Sequence, residues 1–173
     1  AMSEGGLHGF QLWVNMPAKL KMSKPDYIYI DSDKMQIHKD RDKQVKVIAG
    51  KFENAEGPLK GHNVEPIYFD IELEKEKEFN FQLPSTHNSF IYLINGEIKI
   101  GEQTHDKVKN SKLILLTNGE KLRVLGLSKA KFLLISGKPI GEEIARGGPF
   151  VMNTKSEILQ AVQDYHNGNF VKK

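Results

Sequence analysis

Cysteine is absent from all 173 residues. That excludes thiol nucleophiles, thiolate metal sites and disulfides. Arginine is scarce: Arg41, Arg123 and Arg146 are the only three, and lysine carries almost all of the formal charge of +3. Nucleic-acid surfaces more often cluster arginine or place aromatics between basic residues. Here lysine and glutamate alternate, as in Glu72-Leu73-Glu74-Lys75-Glu76-Lys77-Glu78, which reads as a solvated strand end and turn. No nucleic-acid partner is expected. Apolar runs stay well short of the roughly 18 residues that a membrane-spanning helix needs, and no cationic leader with an apolar core is seen. No membrane partner and a cytoplasmic location are the corresponding expectations. Ala1-Met2 reads either as an expression remnant or as a start methionine.

What is present is a globular composition, 39% hydrophobic, in a chain long enough to bury roughly two-thirds of its unfolded surface. Period-two alternation dominates as far as about residue 137. Phe10, Leu12 and Val14 alternate with Gln11, Trp13 and Asn15, the spacing of a half-buried strand. Tyr27 to Ile30, Val45 to Ile48, Ile67 to Leu73, Phe79 to Phe81 and Phe90 to Ile94 continue the pattern. Asn95-Gly96 is the strongest hairpin signal, with Glu97 to Ile100 as its return strand. Lys112 to Leu116, Lys121 to Leu125 and Lys131 to Ile135 follow, with Asn118-Gly119 marking a second tight turn. Many short strands of this kind predict an all-β barrel or sandwich, with any chemistry inside or at the mouth.

One helix is predicted, from Thr154 to His166. Thr154-Lys155-Ser156-Glu157 fits a capping box, and Gly168 can end the helix. Ile158, Leu159, Val162 and Tyr165 form its apolar stripe. That stripe covers either the chain's own barrel or another surface. Glu53 to Pro66 and most of Asn15 to Val45 have loop composition.

Several blocks carry a family resemblance. They are His8-Gly9-Phe10-Gln11-Leu12-Trp13-Val14-Asn15-Met16-Pro17, Ile48-Ala49-Gly50, Leu83-Pro84-Ser85-Thr86-His87-Asn88-Ser89-Phe90-Ile91-Tyr92 and Asn95-Gly96-Glu97. Ser136-Gly137-Lys138-Pro139-Ile140-Gly141-Glu142 and Gly148-Pro149-Phe150-Val151-Met152-Asn153-Thr154 complete the set. Together they resemble the second half of pirin-like proteins, of the cupin superfamily. The resemblance implies a cupin (jelly-roll) β-barrel with a C-terminal α-helix. It divides the chain into a joining strand and linker (1–44), a C-terminal cupin barrel (45–140) and an extension (141–173) with its helix at 154–167. It also implies two cupin domains in a complete protein, with the iron ligands in the first, which this chain lacks.

A cupin metal site needs neutral imidazoles and a carboxylate on inward-facing strand positions, with sites left open for substrate or oxygen. The first motif would fall at Leu83 to Phe90, where His87 stands alone; two residues to either side are Ser85 and Ser89. The second would fall within Leu113 to Val124, which has no histidine. No metal site is therefore expected, and His87 is a barrel-mouth candidate. Convergence of His62, His87 and His105 has no spacing signal behind it. Ser85, Thr86 and His87 are adjacent, but adjacency does not put a hydroxyl within reach of an oriented base. Gly5-Gly6 and Gly147-Gly148 lack the features of a phosphate-binding loop.

The resulting expectation is a non-catalytic second cupin domain with a structural and interface role, without catalytic residues or a cofactor of its own. Iron is expected only with the N-terminal domain, which is also the expected partner in a full-length protein. A homodimer could use the same open face. His8, Phe10, Trp13, Arg146, Phe150, Ile158 and Val162 are the interface candidates. The alternatives are a part of an iron-dependent dioxygenase acting on quercetin-like flavonols, and a protein-binding transcriptional coregulator module.

Overall fold

The structure, a computed structural model, describes residues 8–60, 63–102 and 107–171. Asp26–Ile140 form one compact unit, and the described residues up to Pro25 form another with those from Gly141 onward.

The larger unit is built from short strands. In chain order these are β1 (Ile37–Lys39), β2 (Lys43–Ala49), β3 (Lys51–Phe52), β4 (Ala55–Glu56), β5 (Ile67–Leu73) and β6 (Glu78–Gln82). After them come β7 (Asn88–Asn95), β8 (Glu97–Ile100), β9 (Lys107–Lys109), β10 (Lys112–Leu115), β11 (Lys121–Gly126) and β12 (Ala130–Gly137). Six of them make an antiparallel sheet in the order β1-β2-β5-β12-β7-β10, and four make a second in the order β6-β11-β8-β9. The fold of this unit is all-β, two antiparallel sheets around one apolar interior, as the cupin expectation requires.

Alternation decides which side chains fill it. In β5, Ile67, Phe69, Ile71 and Leu73 are buried while Tyr68, Asp70 and Glu72 are only half covered. Val45 and Val47 of β2, Ile91 and Leu93 of β7, Val124 of β11, and Phe132 and Leu134 of β12 face the same interior. Phe79 stands at its centre, with ring centroids 5.5 Å from Phe52 and 5.9 Å from Phe132, and Phe69 and Phe81 pack edge to face at 5.1 Å. Edge-to-face and offset aromatic pairs of this kind add to plain burial. At the polar turn after β5, Glu74 and Glu72 pair with Lys129 and Lys131 at 2.7 and 3.0 Å.

The Asn95-Gly96 hairpin expectation is corrected. Asn95-Gly96 joins β7 of the six-stranded sheet to β8 of the four-stranded one, and Asn118-Gly119 lies between β10 and β11, again in different sheets. Asn-Gly specifies a sharp change of direction, and in a closed two-sheet fold that change can be a corner between layers. Gly96 has φ +91°, and a Cβ there would lie 2.4 Å from the Lys129 carbonyl oxygen. Two expected strands are also absent. Phe10 to Val14 and Tyr27 to Ile30 have the right alternation but do not form strands, and Tyr27 is 86% exposed. A strand needs a neighbour for its backbone groups, which alternation alone cannot supply. His38, expected in a loop, lies on β1 opposite Val45.

The smaller unit contains the hairpin of β13 (Ala145–Gly147) and β14 (Phe150–Met152), followed by α1 (Lys155–His166). The capping box is present: the Glu157 amide donates to Thr154 Oγ1 at 3.2 Å, and the Thr154 amide donates to Glu157 Oε2 at 2.7 Å. Gly168, at φ +72°, follows the helix end. Chain segments distant in sequence meet here, with the Ala18 amide donating to Glu142 at 2.7 Å and Lys21 Nζ to the Val151 carbonyl at 3.0 Å.

Candidate functional site

His87 is buried at the end of the turn before β7, its amide donating to the Pro84 carbonyl at 3.0 Å. Strand parity places two hydroxyls beside it. Ser89 shares the inward face of β7 with Ile91 and Leu93, Ser136 shares that of β12 with Phe132 and Leu134, and the two serines are register partners. Ser89 Oγ donates to Ser136 Oγ at 2.8 Å, and Ser136 Oγ lies 3.2 Å from His87 Nδ1. A neutral imidazole carrying its proton on Nε2 completes this chain of hydroxyls. Burial pushes the His87 pKa down, Glu65 opposes the shift and Lys138 adds to it.

A depressed imidazole pKa has a definite sign in stability. The unfolded chain takes up the proton first as pH falls, so the contribution of His87 is present above its unfolded pKa. It is lost as pH falls through the folded one. We expect stability to fall on acidification below about pH 6.5, and the dependence to weaken in His87→Gln, measured by urea unfolding across that range. An unchanged pH dependence in the variant would assign the effect to other groups.

Serine, serine and histidine in line do not amount to a catalytic triad. Among the described residues no carboxylate hydrogen-bonds the imidazole to orient it, and Ser136 is only 2% exposed. The fit to iron is no better. The inward positions are taken by valine, isoleucine, leucine and phenylalanine, and the second-histidine position is Ser89. Among the described residues no three histidines, aspartates or glutamates are placed to hold a metal ion. The residues present do not fit the family's iron centre. Near this end of the barrel, where the Leu116 amide donates to the Ser89 carbonyl, a cleft of about 670 Å3 opens over Phe81, Leu83, Ile100 and Leu122. Of the other histidines, His38 lies 3.3 Å from Asp40 and edge-on to Phe52, while His62 and His105 lie outside the described residues.

The interface candidates lie in the smaller unit. Trp13, 70% exposed, shares with Arg146 and Phe150 a groove of about 840 Å3 that Met16, Tyr165 and Phe170 also line. Phe150 packs against Phe170 at 5.1 Å and Tyr165 at 6.0 Å. Ile158 sits so close over Gly147 that a Cβ there would fall 2.4 Å from its Cγ2. Ile158 and Val162 are half-buried, while Leu159 and Tyr165 stay exposed. The buried helical residue is Ala161, outside the expected stripe. His8 and Phe10 are exposed, with ring centroids 5.1 Å apart, and are not among the groove's lining. Sequence reading missed Ser136, although its parity with Phe132 and Leu134 was a usable signal.

Residues 68–171 match the family described as the pirin C-terminal cupin domain. The chain belongs to the pirin family. It is 36% identical to a pirin-like protein of Caulobacter vibrioides over 96% of its own length and 60% of the relative's. It is 32% identical to human pirin, covering 95% and 58% of the two chains. The crystal structure of a quercetin 2,3-dioxygenase from Acinetobacter baumannii superposes with a TM-score of 0.83 at 27% identity, over 91% of this chain and 55% of that one. The chain thus spans about 60% of the length of these pirin relatives. Among its described residues no helix is long and apolar enough to cross a membrane.

Proposed function

We propose that this chain is a second cupin domain without catalytic chemistry of its own, whose role is to complete and stabilise a two-domain pirin. The observation that carries this reading is the filling of the barrel. The interior is lined by Phe69, Ile71, Ile91, Leu93, Val124 and Phe132, all fully buried, and within the first motif Ser89 carries a hydroxyl in place of an imidazole. The smaller unit, by contrast, carries an aromatic groove with Trp13 exposed and Arg146 among its lining. Such a patch is the kind of surface that a second domain covers. On this reading a dioxygenase activity, of the kind named for the Acinetobacter structure, belongs to the first domain of a complete protein.

Anaerobic loading with Fe(II), desalting and metal analysis test the reading. Iron close to background is the expected result. Iron retained at one equivalent would overturn it and require a ligand set assembled from groups that the barrel interior does not supply.

A further inference from the structure

Three Asn-Gly steps occur in the chain, at Asn95-Gly96, Asn118-Gly119 and Asn167-Gly168, and the first two are each followed by glutamate. Local sequence therefore ranks Asn95 and Asn118 together, and only their surroundings separate them. Asn-Gly is the step at which a backbone nitrogen most easily attacks the preceding side-chain amide, because glycine leaves that nitrogen sterically open. Attack still requires the Asn-Gly peptide to rotate until the nitrogen faces Cγ, a matter of orientation rather than composition.

Asn95 is restrained by its backbone. It ends β7 paired opposite Lys131, so although its Oδ1 already accepts the Gly96 N–H at 2.8 Å, the peptide is fixed in the sheet and not free to rotate into attack. The Gly96 carbonyl accepts the Asn110 amide at 3.1 Å, and the Glu97 amide donates to Ser128 Oγ at 2.9 Å. Rotation there would break the corner between the sheets. Asn167 is held by the helix end. Its amide donates to the Gln163 carbonyl at 3.0 Å, Gly168 N–H to that of Tyr165 at 3.2 Å, and Asn169 N–H to that of Asp164 at 2.8 Å.

Asn118 has no such restraint. It is exposed in the crossing from β10 to β11, and among the described residues nothing hydrogen-bonds its side chain or the Gly119 N–H. A Cβ added at Gly119 would meet nothing within 4 Å. The next anchor is the Glu120 carbonyl, which accepts the Leu83 amide at 2.8 Å.

We propose that Asn118 is a site of spontaneous deamidation, and that the fold protects the other two Asn-Gly steps. The Gly119 nitrogen bonds to Cγ of Asn118, the Cγ–Nδ2 bond breaks, and ammonia leaves with the proton given up by the backbone amide. Water then adds to the cyclic imide. Opening at the Cγ–N bond gives aspartate, and opening at the main-chain carbonyl gives isoaspartate; nothing is oxidised or reduced. Either product places a negative charge three residues before Lys121 on the rim of the 670 Å3 cleft. Isoaspartate also lengthens the main chain by one methylene in the crossing between the sheets. It makes the aged chain a substrate for enzymes that methylate isoaspartyl carboxylates.

The test is to incubate the folded chain at mildly alkaline pH, digest samples over time and map the peptides by mass. Acid at Asn118 is expected to accumulate about tenfold or more faster than at Asn95 or Asn167, a barrier difference of about 1.4 kcal/mol or more. Gly119→Ala should slow it without unfolding the chain. In denaturant, Asn95 and Asn118 should convert at similar rates, which assigns the difference to structure. The proposal is overturned if the two convert together in the folded chain. It is equally overturned if Asn118 stays an amide when folded while the denatured chain converts.

Discussion

Truncating Phe79 to alanine lowers the stability of the larger unit by about 3–5 kcal/mol, the cost of a large aromatic removed from a packed interior. Phe79 is fully buried and contacts rings on three sides, Phe52, Phe81 and Phe132, with centroids 5.5 to 6.2 Å away. No neighbour can swing into the vacancy without leaving its own contacts, so the lost transfer energy and the cavity both count. Native domains hold only about 5–15 kcal/mol in total. Urea unfolding should therefore show a midpoint roughly 2 M lower. A loss below about 1 kcal/mol would mean that the interior collapses around the gap and is not tightly packed at Phe79.

The second large effect is at Gly96. Gly96→Ala puts a Cβ 2.4 Å from the Lys129 carbonyl oxygen and 2.7 Å from the Ala130 Cα, at a backbone φ of +91°. Both are backbone atoms of a neighbouring strand connection and cannot turn aside. A non-glycine residue in such a conformation already costs about 1–3 kcal/mol, and the clash adds to it, so a loss above about 2 kcal/mol is expected. The equivalent change at Gly119, in the second Asn-Gly step, should leave stability within about 0.5 kcal/mol. Thermal unfolding of the two variants side by side checks the contrast, and equal effects would refute the corner geometry.

That contrast also marks where sequence reading succeeded and where it stopped. The alternation of Ile67, Phe69, Ile71 and Leu73 announced β5 and its buried face, because a period of two has only one way to bury an apolar row. Thr154 and Glu157 announced the helix start, since both halves of a capping box are local. Asn95-Gly96 announced a sharp turn but not that it joins two layers, which depends on β11 and β12, more than twenty residues away. Phe10 to Val14 looked like β5 in miniature and formed no strand, because pairing is a property of the neighbour. The candidate site divided similarly. The missing imidazoles were legible in Ser85 and Ser89, whereas the Ser136 hydroxyl reached His87 only through the register between β12 and β7.

The smaller unit has a consequence for the order in which the protein can be made. Its hydrogen bonds from Ala18 to Glu142 and from Lys21 to Val151 span 124 and 130 residues of chain. During synthesis the early segment leaves the ribosome long before the partners that hold it exist. The segment from Trp13 to Lys21 therefore stays unanchored by these bonds for as long as the whole barrel takes to be translated. A nascent chain stalled near Ile140 would present that unanchored segment to chaperones and proteases alike.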